Sequence, residues 1–259
     1  MVMNIPGDLP FLAVKSNRDG GYACRKHSHE EVSLGYIISG KTTVDADGQR
    51  FMLHAGDFIL IPAETAHLCL PEDEKAYRFQ MAYLSAGWWN SRMDIKANRF
   101  RTLAVPASED MKRLFASFEK GAFTDIETEI VSVLKCIENR IPPAGHNTDG
   151  ADEAVHELHR SIKNLPEMHR GIDEYARDHG MSRFSLIRKY AHMYGLTPHA
   201  DRINMRIQRA ILLFESDRNL TQIAYACGFS DQSHFIRYFK QYSGMQPGEY
   251  RTALLSNSE

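Results

Sequence analysis

The chain has 259 residues, 43% hydrophobic and 25% charged, which suits one large or two medium soluble domains with cores of their own. Its four cysteines, Cys24, Cys69, Cys136 and Cys227, are far apart and form no Cys-x-x-Cys pair, which argues against a zinc ribbon or a disulfide framework. The net charge of −2 conceals a split: residues 155–259 carry 14 lysines and arginines against 11 acidic residues, whereas residues 1–154 carry 17 against 22.

The first residues lack a basic segment followed by an apolar core, and no run approaches the roughly 18 apolar residues of a membrane span. The expectation is a cytoplasmic protein without a membrane partner. Four segments then read as strands: VSLGYIISG (32–40), KTTVDA (41–46), QRFML (49–53) and DFILIP (57–62). They are rich in β-branched and aromatic residues, and Ser39-Gly40, Asp47-Gly48, Ala55-Gly56 and Pro62 punctuate them, which predicts a sandwich or small barrel. From Pro106 the texture turns helical. Ser108 is placed to cap a helix with Met111, Leu114, Phe115 and Phe118 on one face. Thr124 and Glu127 have capping-box spacing ahead of Ile126, Ile130, Val133, Leu134, Ile137 and Ile141. That stripe has two uses open to it: packing on the β domain, or a homodimer interface across residues 124–141. IPPAGHNTDGAD (141–152) has linker composition, and helical patterns follow to about residue 253.

The C-terminal part repeats itself. Ile172, Ala176, Gly180 and Ser182 recur 48 residues later as Leu220, Ala224, Gly228 and Ser230; Leu186, Arg188, Tyr190, Gly195 and Pro198 recur 49 residues later as Phe235, Arg237, Phe239, Gly244 and Pro247. The offset slips by one, inside the first turn of each second helix. In each copy a small alanine allows close helix crossing, a glycine ends the first helix, and a serine caps the next. This is a helix-turn-helix pattern, whose second helix is built to enter the major groove. Between the copies, Thr197 and Pro198 open a long helix. Ile203, Ile207, Ala210, Ile211 and Phe214 line one of its faces and Arg202, Arg206 and Arg209 another.

The residues GFSDQSHFIRYFKQYSGMQPGEYR (228–251), the weaker copy SRFSLIRKYAHMYGLTP (182–198) and the basic helix between them resemble the AraC/XylS family of transcription regulators. Ile187 departs from the family, which more often has a polar residue there, and Tyr194 and His199 around GLTP have no reading from sequence. On the first reading helix (about 182–193), Arg183, Phe184, Ile187 and Arg188 oppose Leu186 and Tyr190. On the second (about 231–242), Gln232, Ser233, His234 and Arg237 take that side. Arginine pairs bidentately with guanine, glutamine pairs with adenine, and Phe184 and Ile187 suit thymine methyls. Lys189, Arg202, Arg206 and Lys240 are expected at phosphates. The resemblance implies that Arg188 and Arg237 contact bases, and that the two heads read adjacent major-groove segments of an asymmetric site.

The front part resembles the cupin-like sensor domain of this family, through His27-Ser28-His29 and Gly56-x5-Pro62-x4-His67. The resemblance implies a multi-domain chain: an N-terminal cupin-like β-barrel (jelly roll) over 1–95, two helices over 106–141, a linker at 142–154, and an all-α domain over 155–254 with two helix-turn-helix units joined by a long helix. It implies an effector-responsive regulator, usually an activator, with RNA polymerase as a partner. Residues two apart in a strand share a face, so His27 and His29 project together, and His67 completes a set of three. The set has three readings: ligands of a divalent metal, polar lining of a small-molecule effector pocket, or structural side chains. The glutamate of metal cupins would fall at Ser33 or Leu34, Glu31 comes too early, and Glu64 replaces a glycine. A constitutive regulator whose front domain only dimerises is an alternative. A metal-dependent cupin enzyme is another, but it leaves the repeat unexplained, and no Gly-rich phosphate loop, GxSxG or HExxH occurs in the chain.

Overall fold

A computed structural model describes residues 2–4, 9–17, 22–144, 153–164 and 171–255. The front domain is built from two antiparallel sheets. The larger has the order β1 (Val2–Asn4), β2 (Leu12–Ser16), β8 (Arg78–Leu84), β3 (Val32–Ser39), β6 (Asp57–Ile61), β9 (Leu103–Pro106); the smaller runs β5 (Gln49–His54), β4 (Lys41–Ala46), β7 (His67–Pro71). Ile37, Val44, Leu53, Ile59 and Phe79 from the two sheets share one interior core.

The central strand β3 is buried on both sides, so it reads as an apolar run rather than an alternation. Val32 and Leu34 face the helices. Gly35 and Ile37 face the interior, where a Cβ on Gly35 would lie 2.7 Å from both Ile59 and Met81.

Three helices cover the outer face of the larger sheet: α1 (Ala86–Arg92), α2 (Glu109–Lys120) and α3 (Ile126–Ile137). Trp89, Phe115, Phe118, Ile130 and Leu134 pack there with Leu12, Val14 and Leu34. The apolar stripe of residues 126–141 is therefore packed against the sheet within the chain. Ser108 caps α2 as its sequence position predicts, accepting from the Met111 amide at 3.3 Å. The Thr124–Glu127 capping box does not form. The α3 N-cap is Asp125, without a side-chain bond, and the Glu127 carboxylate instead accepts from Trp88 Nε1 at 2.8 Å and Arg92 Nη2 at 2.7 Å. A tertiary indole and a guanidinium have outcompeted the local amide.

β9 pairs with β6, so the sheet extends beyond residue 95 to Pro106. The expected linker lies mostly at 145–152, outside the described residues; Pro142 and Ala144 are tied back to Arg101 and Arg99 by backbone hydrogen bonds. The helical domain follows: α4 (Glu153–Lys163), α5 (Ile172–Asp178), α6 (Arg183–Tyr194), α7 (Pro198–Leu212), α8 (Leu220–Ala226), α9 (Gln232–Ser243) and α10 (Pro247–Leu255). It holds two cores. Leu158, Ile162, Ala176, Leu186 and Tyr190 form one; Ile203, Ile207, Phe214, Ala224, Phe235 and Phe239 form the other. Thr197 caps α7 by accepting from the Ala200 amide at 3.3 Å, with Pro198 as its first residue. Among the described residues, no helix is long and apolar enough to cross a membrane.

Candidate functional site

The two repeats fold as the same supersecondary unit. In the first, the Met181 amide returns to Ala176 O at 2.8 Å, Gly180 has φ 63°, and Ser182 caps α6 by accepting from the Ser185 amide at 3.2 Å. In the second, the Phe229 amide returns to Ala224 O at 3.0 Å and Gly228 has φ 79°. There the cap is Asp231 rather than Ser230, accepting from the His234 amide at 2.7 Å. The one-residue slip therefore lies in the turn itself, between glycine and cap, not inside the helix. A carboxylate at the N-terminus of α9 also suits the helix dipole better than a hydroxyl would.

Leu186 and Tyr190 on α6, and Phe235 and Phe239 on α9, are fully buried, which turns the opposite faces outward. Phe184 is 83% exposed, an unusual place for a phenyl ring unless something else covers it. Arg188, Lys189, Ser233, Arg237 and Lys240 are exposed, and Ile187 is half-buried. Arg183 is held by Asp173 of α5 at 3.2 Å. Gln232 accepts from the Thr221 hydroxyl at 2.7 Å, His234 packs edge-on to Phe229 and Tyr238, and the Arg237 guanidinium lies 5.4 Å above the Tyr238 ring centre. The second head is thus steadied by Thr221 and Tyr238, which sequence reasoning missed.

Arg202 and Arg206 are not freely solvated. Arg206 packs over Phe229 and against the Gly228 turn, where a Cβ would approach its guanidinium to 3.2 Å. Partial burial pulls both guanidinium pKa values below the usual range. Arg206 therefore braces α7 against the second unit. Tyr194 acquires a role too: it stacks on His159 at 3.7 Å between ring centres, and its hydroxyl meets His156 at 2.8 Å. Beside it, the buried Asp201 accepts from the Tyr190 hydroxyl and approaches His159 Nδ1 at 3.3 Å.

The front domain docks on both units. Lys15 of β2 donates to Ser243 O, in the last turn of α9, at 2.5 Å. The amides of Cys24 and Arg25 donate to Gln241 O at 2.9 and 3.2 Å, so the front domain satisfies carbonyls that end the second reading helix. The Asn204 amide of α7 donates to Ser28 O at 2.9 Å. Glu64 takes φ 63°, the left-handed conformation the replaced glycine would have supplied, and its carboxylate pairs with Lys163 of α4. Gly195, after α6, faces Ala66 so closely that a Cβ would lie 2.8 Å from the alanine methyl.

His27, His29 and His67 come together at this junction. His27 exchanges two backbone hydrogen bonds with His67, and the ring centres lie 4.4 Å (27–67), 5.1 Å (29–67) and 6.0 Å (27–29) apart. His67 lies on β7, but His27 and His29 flank an irregular segment rather than a regular strand. Burial and the neighbouring imidazoles hold His27 well below its usual pKa and His29 at about 3, and burial lowers His67 as well, so the rings are neutral at physiological pH. Burial likewise brings Lys15 to about 8. A cleft of about 200 Å³ opens between Lys15, His27, His29 and Tyr83 of the front domain and Ile207, Ile211, Tyr242 and Leu254 of the helical domain. The interior between the sheets holds about 50 Å³.

Two family models match the chain: an AraC-like ligand binding domain at residues 10–126 and a helix-turn-helix domain at 175–253. The HTH-type transcriptional regulator MtrA of Neisseria gonorrhoeae is 32% identical over 101 residues, which are 39% of this chain and 34% of that protein. The HTH-type transcriptional activator RhaS of Escherichia coli is 35% identical over 80 residues, 30% of this chain and 29% of that one. These matches span about a third of the curated relatives' length. The fold of nearly the whole chain resembles ToxT of Vibrio cholerae, with a TM-score of 0.59 at 15% identity over 94% of this chain and 98% of that one. ToxT with an unsaturated fatty acid bound is similar too, at TM-score 0.57 and 14% identity over 96% of each chain. Matched by an AraC-like ligand binding domain over residues 10–126 and a helix-turn-helix domain over 175–253, the chain belongs to the AraC family.

Proposed function

We propose that this chain is an effector-responsive transcription regulator, an activator that contacts RNA polymerase, and that it holds duplex DNA with α6 and α9 in adjacent major grooves. The observation that carries this reading is the matched pair of outward helix faces, with Arg188 and Arg237 both exposed and α7 braced against the second unit. Arg183, Phe184, Ile187, Gln232, Ser233 and His234 complete the base-facing surfaces, and Lys189 and Lys240 meet phosphates. Arg206 acts mainly by bracing α7 against the second head. Its place of action is the cytoplasm, and it carries out no turnover.

The cleft between the domains is the better seat for a small-molecule effector, since the space between the sheets is a quarter of its volume. An effector there touches Tyr242 and Ser243 of α9 directly, which gives the front domain more to do than dimerise. Genomic mapping of binding sites with the intact chain is the test: discrete sites, each with two unequal elements about one helical turn apart, are expected. Uniform, sequence-independent occupancy overturns the reading.

A further inference from the structure

Each helix-turn-helix unit contains a contact that the base-facing surfaces do not account for. The second residue of α5 is Asp173, and the second residue of α8 is Thr221. The first residue of α6 is Arg183, and the first residue of α9 is Gln232. Asp173 Oδ2 accepts from Arg183 Nη1 at 3.2 Å, and the Thr221 hydroxyl donates to Gln232 Oε1 at 2.7 Å. The residue types differ between the units, but the places do not. In both, the opening turn of the first helix reaches across to hold the opening residue of the reading helix. Neither pair belongs to a core: the Arg183 and Asp173 side chains are 55% and 61% exposed, and the Thr221–Gln232 bond is exposed too. Exposed pairs of this kind add little to stability, so stability does not explain why the contact recurs.

Its effect is on what each held side chain can present. A free glutamine offers a donor and an acceptor side by side, the pattern that matches N7 and N6 of adenine. Gln232 has its oxygen turned back to Thr221, and its Nε2 has no hydrogen-bond partner among the described residues. Donors alone are left to face outward. They match O6 and N7 of guanine or O4 of thymine, whereas adenine keeps half of its pairing and the amino group of cytosine offers none. An arginine donates from every nitrogen, and a free one is drawn to phosphate, which positions without specifying. Asp173 offsets the charge of Arg183, occupies one of its nitrogens and repels phosphate, so the remaining donors are kept for a base.

We propose that Asp173 and Thr221 are positioning residues that set base preference. Thr221 makes Gln232 a reader of keto bases, guanine or thymine, in place of the adenine that a glutamine alone would suit. Asp173 holds Arg183 on guanine and off the backbone. Both act through the side chain they hold. The proposal rests on the DNA-binding reading and deepens it.

The test is selection of duplexes from a randomised DNA library by the full chain, followed by salt titration of binding. The position that Gln232 reads is the one at which Gln232→Ala loses all preference. The parent should select guanine or thymine there. Thr221→Val keeps the side-chain shape and removes the hydroxyl, so adenine should gain about tenfold at that position while the other positions hold. Thr221→Ser keeps the hydroxyl and should retain the parent profile. Asp173→Asn should bind unrelated duplex more tightly, with a salt slope steeper by about one, and discriminate less at one position of the element read by α6. A parent that selects adenine at the Gln232 position, or a Thr221→Val chain with the parent profile, overturns the role of Thr221. An Asp173→Asn chain with the parent slope and profile, or with a uniform loss of affinity, overturns that of Asp173. A parent that enriches no sequence overturns the DNA-binding reading itself, an outcome distinct from a parent that selects sharply and variants that select alike.

Discussion

The Lys15 ammonium and the carbonyl of Ser243 meet at 2.5 Å although 228 residues separate them in the chain. The bond joins an inward position of a strand in one domain to the last residue of a helix in the other. A cation at a helix C-terminus is well placed with respect to the dipole, but burial opposes the charge and brings the lysine to about 8 from 10.5.

This gives a pH dependence with a definite sign. Between pH 8 and 10.5 the unfolded chain holds a proton at Lys15 that the folded chain has released, so unfolding free energy from this group rises with pH across that window. The stability of the parent minus that of Lys15→Met should climb by about 3 kcal/mol from pH 8 to 10.5, at roughly 1.4 kcal/mol per pKa unit. Denaturant titrations at several pH values check this, and a flat difference refutes it.

Gly195 combines a left-handed φ of 70° with the close approach to Ala66, whereas Gly180 has φ 63° and open space around it. Gly180→Ala is expected to cost about 1–2 kcal/mol of stability from backbone conformation alone. Gly195→Ala should cost that and loosen the domain junction besides. Limited proteolysis reads the second effect: faster cleavage in Gly195→Ala than in Gly180→Ala is the expected result.

Tyr190 satisfies the buried carboxylate of Asp201. Tyr190→Phe keeps the ring and removes the donor, so thermal unfolding should reveal a loss of about 1–3 kcal/mol. A smaller cost in the Tyr190→Phe, Asp201→Asn double variant would identify the stranded charge as the cause, and equal losses would count against it.

For the second head, Arg237→Ala is expected to weaken specific operator binding by about 1–3 kcal/mol and to relax a single base position. Arg188→Ala should do the same at a base in the other element. Gel-shift titration against a panel of single-base operator variants measures both, and unchanged affinity refutes the assignment.

Much of this architecture was legible in the chain. The strands between residues 32 and 61 are bounded by turns whose glycines and asparagine-like residues announce them, and the helical repeat declares itself through matched glycines and arginines. β2 and β8 escaped because polar residues with tertiary uses, Lys15 and Gln80, interrupt their apolar pattern. β9 escaped because four residues are too few to show a period. The three histidines were readable from spacing. The junction was not, because Lys15, Ser28, Glu64, Lys163 and Asn204 are scattered polar residues that acquire meaning only when the domains meet. Asp231 displaced Ser230 as cap for a subtler reason: both are good caps, and one inserted residue decides which of them faces the helix.

That inserted residue has a further consequence. It makes the two heads inequivalent in how the chain enters the groove-facing helix, so no rotation exchanges them. A duplex gripped by both is read in one direction only. The bound chain then has a front and a back along the DNA, and reversing the operator reverses the side on which the front domain stands.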